Sequence, residues 1–124
     1  MPRMVKVDDA NKIVRSIYIG DISDADVLAQ VAEISALQIP QHYCELVDLT
    51  EVGSLNLSNS TIRQISKTPS VFDRNCKRVI LVTDSVHYGI GRMVQTYAEL
   101  SSSAPFEVVY SREEAMSLLN DRPE

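Results

Sequence analysis

In the stretch "LVDLTEVGSLNLSNSTIRQIS" an apolar run ends at Asp48, and three hydroxyls, Ser58, Ser60 and Thr61, stand beside a short helical pattern. Hydroxyls at a helix start have two uses. They accept hydrogen bonds from the unpaired N–H groups of the first turn. They also take a phosphate, attached or bound, because the helix dipole is positive there. Ser58, Asn56, Ser60 and Asp48 are therefore candidates for phospho-acceptance or anion binding. Capping is the simpler role, open to Ser58 or Asn56 alike. A phosphate on Ser58 would bring about two negative charges to a surface turn.

A second group follows another apolar run. Ser85, His87, Tyr88 and Arg92 form a candidate ligand-binding edge, where helix starts face the carboxyl ends of strands. Asp84, Ser85 and His87 have the residue types of a hydrolase. Nothing in the chain matches G-x-S-x-G, and Asp84 or Ser85 is the natural cap of the next helix. "YGIG" holds only two of the three glycines of a dinucleotide fingerprint, and close helix-to-sheet packing accounts for small residues there. His42 precedes a strand and His87 follows one, which sets them at opposite ends of a sheet and argues against a zinc site. No metal, no cofactor and no enzyme activity is expected.

These residues need elements to position them. "RMVKV" and "KIVRSIYI" are β-rich and flank the turn residues "DDAN", so the chain opens as a hairpin, with Gly20 ending its second strand. "SDADVLAQVAEISALQ" reads as a helix, with Ser23 as its cap and Val27, Leu28, Val31, Ile34 and Ser35 on one stripe; Pro40 closes it. Tyr43–Leu49 is a strand. A short helix anchored by Ile62 and Ile65 ends before Pro69. "KRVILVT" is apolar enough for a strand covered on both faces. The clearest helix places Ile90, Met93, Val94, Tyr97 and Ala98 at i, i+3, i+4, i+7 and i+8. "FEVVY" is the last strand. Ser111 and Glu114 then open a helix that buries Ala115, Met116, Leu118 and Leu119. The order ββαβαβαβα means parallel strands joined by right-handed crossovers, with one antiparallel edge.

The 124 residues fit one domain, 1–124, with 44% hydrophobic and 23% charged residues. No apolar run approaches the roughly 20 residues that span a bilayer, and "MPRMVKVDD" lacks the apolar core of a secretion signal, so a cytoplasmic address is expected. Cys44 and Cys76 fit that address as buried free thiols. The net charge of −5 argues against nucleic acid as a partner. Residues 63–92 reverse the balance: Arg63, Lys67, Arg74, Lys77, Arg78 and Arg92 stand against Asp73 and Asp84. That segment reads as a solvated basic face or as a dock for an acidic partner. The tail "NDRPE" is polar and expected to fray.

The order of elements, with "VDLTEVGSLNLSNSTI" after the third strand, resembles the SpoIIAA-like (STAS) fold of anti-sigma-factor antagonists. That family has D-L-S-x-V-x-x-[MI]-D-S-S-G here. Asp48, Leu49, Thr50 and Val52 match its first half, with Thr for Ser. Asn56 stands where the family has Asp, Leu57 replaces the first Ser, Ser58 matches the phosphorylatable second Ser, and Asn59 replaces Gly. A closer likeness is to small stand-alone bacterial proteins of SpoIIAA-like or STAS/CRAL-TRIO-like type, through Tyr88–Gln95 and Phe106–Leu119. The resemblance implies an α/β fold whose mixed sheet carries its helices mainly on one face. It implies a non-enzymatic regulatory module that docks a protein partner; the alternative is a carrier for a small apolar or lipid-like ligand. An uncovered sheet face would show apolar strand residues, from which a homodimer is expected.

Overall fold

In the computed structural model the described residues are 2–40, 42–67, 77–101 and 105–120. Arg74, Cys76, Pro69 and the tail beyond Asn120 lie outside them. The order is β1 (Arg3–Asp8), β2 (Ile13–Ser23), α1 (Asp24–Ala36), β3 (Cys44–Asn56), α2 (Asn59–Lys67), β4 (Arg78–Leu81), α3 (Ser85–Leu100), β5 (Phe106–Val109) and α4 (Arg112–Asn120). This is the ββαβαβαβα order expected. The sheet runs β1-β2-β3-β4-β5, antiparallel between β1 and β2 and parallel from there on. Leu46 and Val79 are direct partners on parallel strands.

Alternation along the strands sorts the core into two faces. Leu49, Ile80, Val82 and Phe106 meet α1, α2 and α3 through Val27, Ile62, Val94 and Ala98. Cys44, Leu46, Val79, Leu81 and Val109 point the other way, onto Ala115 and Leu119 of α4. Three helices thus share one face and α4 closes part of the other. Cys44 is buried and free.

The hairpin is stitched to α1 by polar contacts. Gln30 is fully buried, and its Nε2 donates to Met4 O at 2.8 Å and to Ser16 Oγ at 3.0 Å. Arg3 Nη1 reaches Gln30 Oε1 at 3.2 Å and Glu33 Oε1 at 2.9 Å. An unpaired amide at that depth would cost about 1–3 kcal/mol, so the site demands a residue with both donor and acceptor.

The two central strands outrun the sequence expectation. β2 continues past Gly20, which takes φ +80, and β3 continues past Leu49 to Asn56. Their register slips twice, between Ile17 and Ile19 and between Gly20 and Ile22, each time leaving one extra residue in β3. Leu49, Val52 and Leu55 therefore recur every third residue yet all face the α1–α3 side. That spacing hides a strand from a search for alternation. The resulting β2–β3 ribbon reaches beyond the short β4 and carries α2 at its far end.

Gly91 of "YGIG" lies where α3 meets β5. A Cβ there would stand 2.9 Å from Val108 Cγ1, so the close packing expected of this glycine is present, whereas Gly89 has open space. No helix among the described residues is long and apolar enough to cross a membrane.

Candidate functional site

Ser58 is the cap of α2. Its Oγ accepts the Thr61 amide at 3.2 Å, its carbonyl accepts the Ile62 amide at 3.0 Å, and its hydroxyl donates to Thr61 Oγ1 at 3.2 Å. Of the two cap candidates, Ser58 and not Asn56 fills the role; Asn56 Nδ2 turns back to Ser54 Oγ at 3.4 Å. Ser58, Asn59 and Ser60 are all exposed. Asp24, the first residue of α1, accepts the Ser58 amide on its Oδ1 at 2.9 Å. That amide, aided by the hydroxyls of Ser58 and Thr61, holds the Asp24 carboxyl below its usual range against a smaller opposing effect of desolvation. The chain thus supplies its own anion to the start of α2. The outcome is a hydroxyl-rich ledge, open to solvent and tied to α1. Replacing Ser58 by Ala should lower stability by about 1 kcal/mol, and by Gly only a few tenths, in urea unfolding.

Asp48 does not join that ledge. It shares the α4 face with Leu46, while the next residue, Leu49, faces the other helices. Its Oδ1 accepts the Thr50 amide at 2.9 Å and the Thr50 hydroxyl at 2.6 Å; its Oδ2 meets Arg112 Nη2 of α4 at 3.2 Å. Burial pushes the carboxyl upward, but the Thr50 hydroxyl and amide and the Arg112 guanidinium together outweigh it and hold it below its ordinary 3.8. A carboxyl lowered by folding stabilises fully above its unfolded value and loses that contribution as pH falls through the folded value. Asp48→Asn should therefore cost about 1–2 kcal/mol at pH 7, and the gap from wild type should narrow as pH is lowered below 3.8. Urea unfolding between pH 3 and 7 reads it.

The second candidate group gathers at the start of α3. Asp84 is its cap, with Oδ1 accepting the His87 amide at 2.8 Å. The His87 imidazole is buried, with Nδ1 3.0 Å from Asp84 Oδ2 but outside hydrogen-bond alignment. Ser85 is exposed. Tyr88 stacks on Tyr110 with ring centroids 4.9 Å apart and planes 5° from parallel. Arg92 donates to Gln95 Oε1 on its own helix at 2.8 Å. These residues belong to one rim of the sheet; apart from the Tyr88–Tyr110 stack, the side-chain contacts described stay within α3 and its cap.

Two features were not legible in the sequence. Arg78, counted above with the basic surface, is inside. Its Nε donates to Glu45 Oε1 at 2.9 Å, the two side chains are 12% and 5% exposed, and the guanidinium lies 3.9 Å above the Phe106 ring. This pair forms part of the wall of a cavity of about 80 Å³ between the sheet and α1, α2 and α3. The cavity is otherwise mainly apolar, lined among others by Val31, Leu55, Leu57, Ile65 and Val94. Ser16 and Tyr18 add hydroxyls to its floor, and burial raises the Tyr18 phenol above its ordinary range. Among the described residues no cluster of His, Cys, Asp and Glu is placed to hold a metal.

An antiparallel hairpin feeding three parallel strands in chain order, with three helices on one face and a fourth on the other, defines a SpoIIAA-like α/β fold. The same fold occurs in a crystal structure of an uncharacterised protein of the DUF3478 family from Shewanella loihica PV-4, described as having a SpoIIAA-like fold. The likeness covers 94% of this chain and 91% of that one, with a TM-score of 0.60 and 14% sequence identity. No protein-family model matches the chain, and neither does any curated protein.

Proposed function

We propose that this chain is a non-enzymatic, cytoplasmic interaction module that docks a protein partner through the first turn of α2, with Ser58 as the residue through which an anion regulates it. The observation that carries this reading is the ledge. Ser58, Asn59 and Ser60 are exposed, yet the Ser58 amide that opens this turn is held by Asp24 from a different helix. An exposed, ordered turn loses little entropy when a partner closes on it. A phosphate on Ser58 would put a dianion beside the Asp24 carboxylate at the same helix start. The repulsion would separate α1 from α2 and change the docking face.

Asn59 and Glu113 give the test, one on the ledge and one on the exposed side of α4. A photo-crosslinking residue at Asn59 should capture one discrete partner in host extract, Ser58→Asp should abolish the capture, and a probe at Glu113 should not give the same product. Equal capture from both positions would end the ledge reading. Mass spectrometry of protein from its host, showing Ser58 unmodified in every growth state, would end the phosphate switch.

Carriage of an apolar ligand ranks second. The cavity has suitable walls, but its volume of about 80 Å³ is well below the 300–1,000 Å³, roughly, that encloses a drug-sized ligand. A homodimer through an open sheet face has limited support, because α4 covers β3 to β5. The remaining strip on β1 and β2 pairs Met4 with Ile17 but also Lys6 with Arg15, like charges side by side.

A further inference from the structure

We propose that the cavity beneath α2 binds a small uncharged amphiphile, and that its occupancy moves the Ser58 ledge; the regulatory part rests on the docking role given to that ledge above. The placement comes first. Leu57, which precedes Ser58, and Ile65, on α2 itself, both line the cavity. A guest that presses on these two side chains presses on both ends of the segment that carries Ser58, Asn59 and Ser60. Because the surrounding interior is densely packed, a guest that fills the space to its margins is accommodated by movement of a wall. The α2 wall is nine residues long and stands at the end of the β2–β3 ribbon.

The chemistry of the guest follows from the walls. Glu45 and Arg78 present a paired carboxylate and guanidinium, of no net charge, to a mainly apolar space. A guest carboxylate would meet the Glu45 charge, and a guest ammonium would meet that of Arg78. A hydroxyl or primary amide can donate to the first and accept from the second, while its alkyl part rests on Val31 and Val94. The volume sets the size. About 80 Å³ is roughly half that of a cavity that admits benzene, which leaves room for about three or four non-hydrogen atoms.

Nitrogen–proton NMR of the full chain tests this with three probes of one chain length: 1-propanol, propionate and n-propylammonium. Saturable shifts with 1-propanol are expected at Val31, Ile65 and Val94 and at the amides of Leu57 to Thr61, in the range of about 1–10 mM for so small a guest. The two ions should bind at least tenfold more weakly. Val31→Phe should abolish the titration by filling the space; if that variant does not fold, Val31→Leu should weaken it at least threefold. Shifts that never saturate, equal binding of the charged probes, or a Val31 variant that binds as wild type would overturn the site. Saturation at the cavity residues with the ledge amides unmoved would overturn the regulation. No partner protein enters the measurement, so a failure here is distinct from a failure of the docking reading.

Discussion

Arg78→Met should destabilise the protein by about 3–5 kcal/mol, because it leaves Glu45 charged and alone at 5% side-chain exposure. The measurement is urea or thermal unfolding at pH 7. Two effects add in one direction. The carboxylate loses its 2.9 Å partner. The Phe106 ring loses the guanidinium stacked 3.9 Å from its centroid. Glu45→Leu combined with Arg78→Met should recover most of the loss, since a buried ion pair exchanged for well-packed apolar residues is often neutral or better. A double variant as unstable as the single one would mean that Arg78 acts through contacts other than Glu45. The same pair explains why charge counting along the chain misleads here. Arg78 follows Lys77 in sequence, but alternation along β4 turns its side chain toward the helices.

Leu119→Ala should cost about 2–5 kcal/mol, the range for emptying a large buried aliphatic site. Leu119 has no exposed surface, and the apolar hold of α4 on the sheet is little more than Ala115 and Leu119, with Met116 and Leu118 half-buried beside them. Helices this short have marginal stability by themselves and rely on their packed face. The loss should therefore release α4 and uncover Leu46, Val79, Leu81 and Val109 together. Alongside the stability loss, the variant should bind a hydrophobic dye and aggregate more readily. A dye signal equal to that of wild type, at the same loss of stability, would show that α4 stays in place over a cavity.

The elements that could be read from the chain were those whose periods are clean. α3 shows helical spacing over two turns, β4 is a continuous apolar run, and Ser111 and Asp84 cap as their residue types suggest. The second half of β3 lies beyond the strand legible at Tyr43–Leu49 because two bulges replace alternation by a three-residue spacing from Leu49 to Leu55. Ser23 is the cap of α1 as its residue type suggests, in a capping box with Asp26, whose Oδ2 takes the Ser23 amide and hydroxyl at 3.0 and 3.1 Å. The hydroxyls of the ledge were visible, since Ser and Thr before a helix announce a cap. Its tie to Asp24 was not, because the two residues are 34 apart and only the sheet brings them together. Grouping Asp48 with Ser58 failed for the opposite reason. They are close in sequence, but pleating sends Asp48 to the α4 face. Gln30 gave no signal at all, because a glutamine among helix residues reads as surface until the depth of its partners is known.

Strand order follows chain order without a skip, from β1 to β5. Each parallel strand therefore joins the outer margin of what has already formed, and none has to be inserted between two earlier ones. A polypeptide emerging from the ribosome can add such units one after another without undoing earlier pairings. α4 follows β5 and is the cover for the rear of β3, β4 and β5. That rear surface stays bare until α4 docks, so the interval between the pairing of β5 and the docking of α4 is the one in which a chaperone has most to bind.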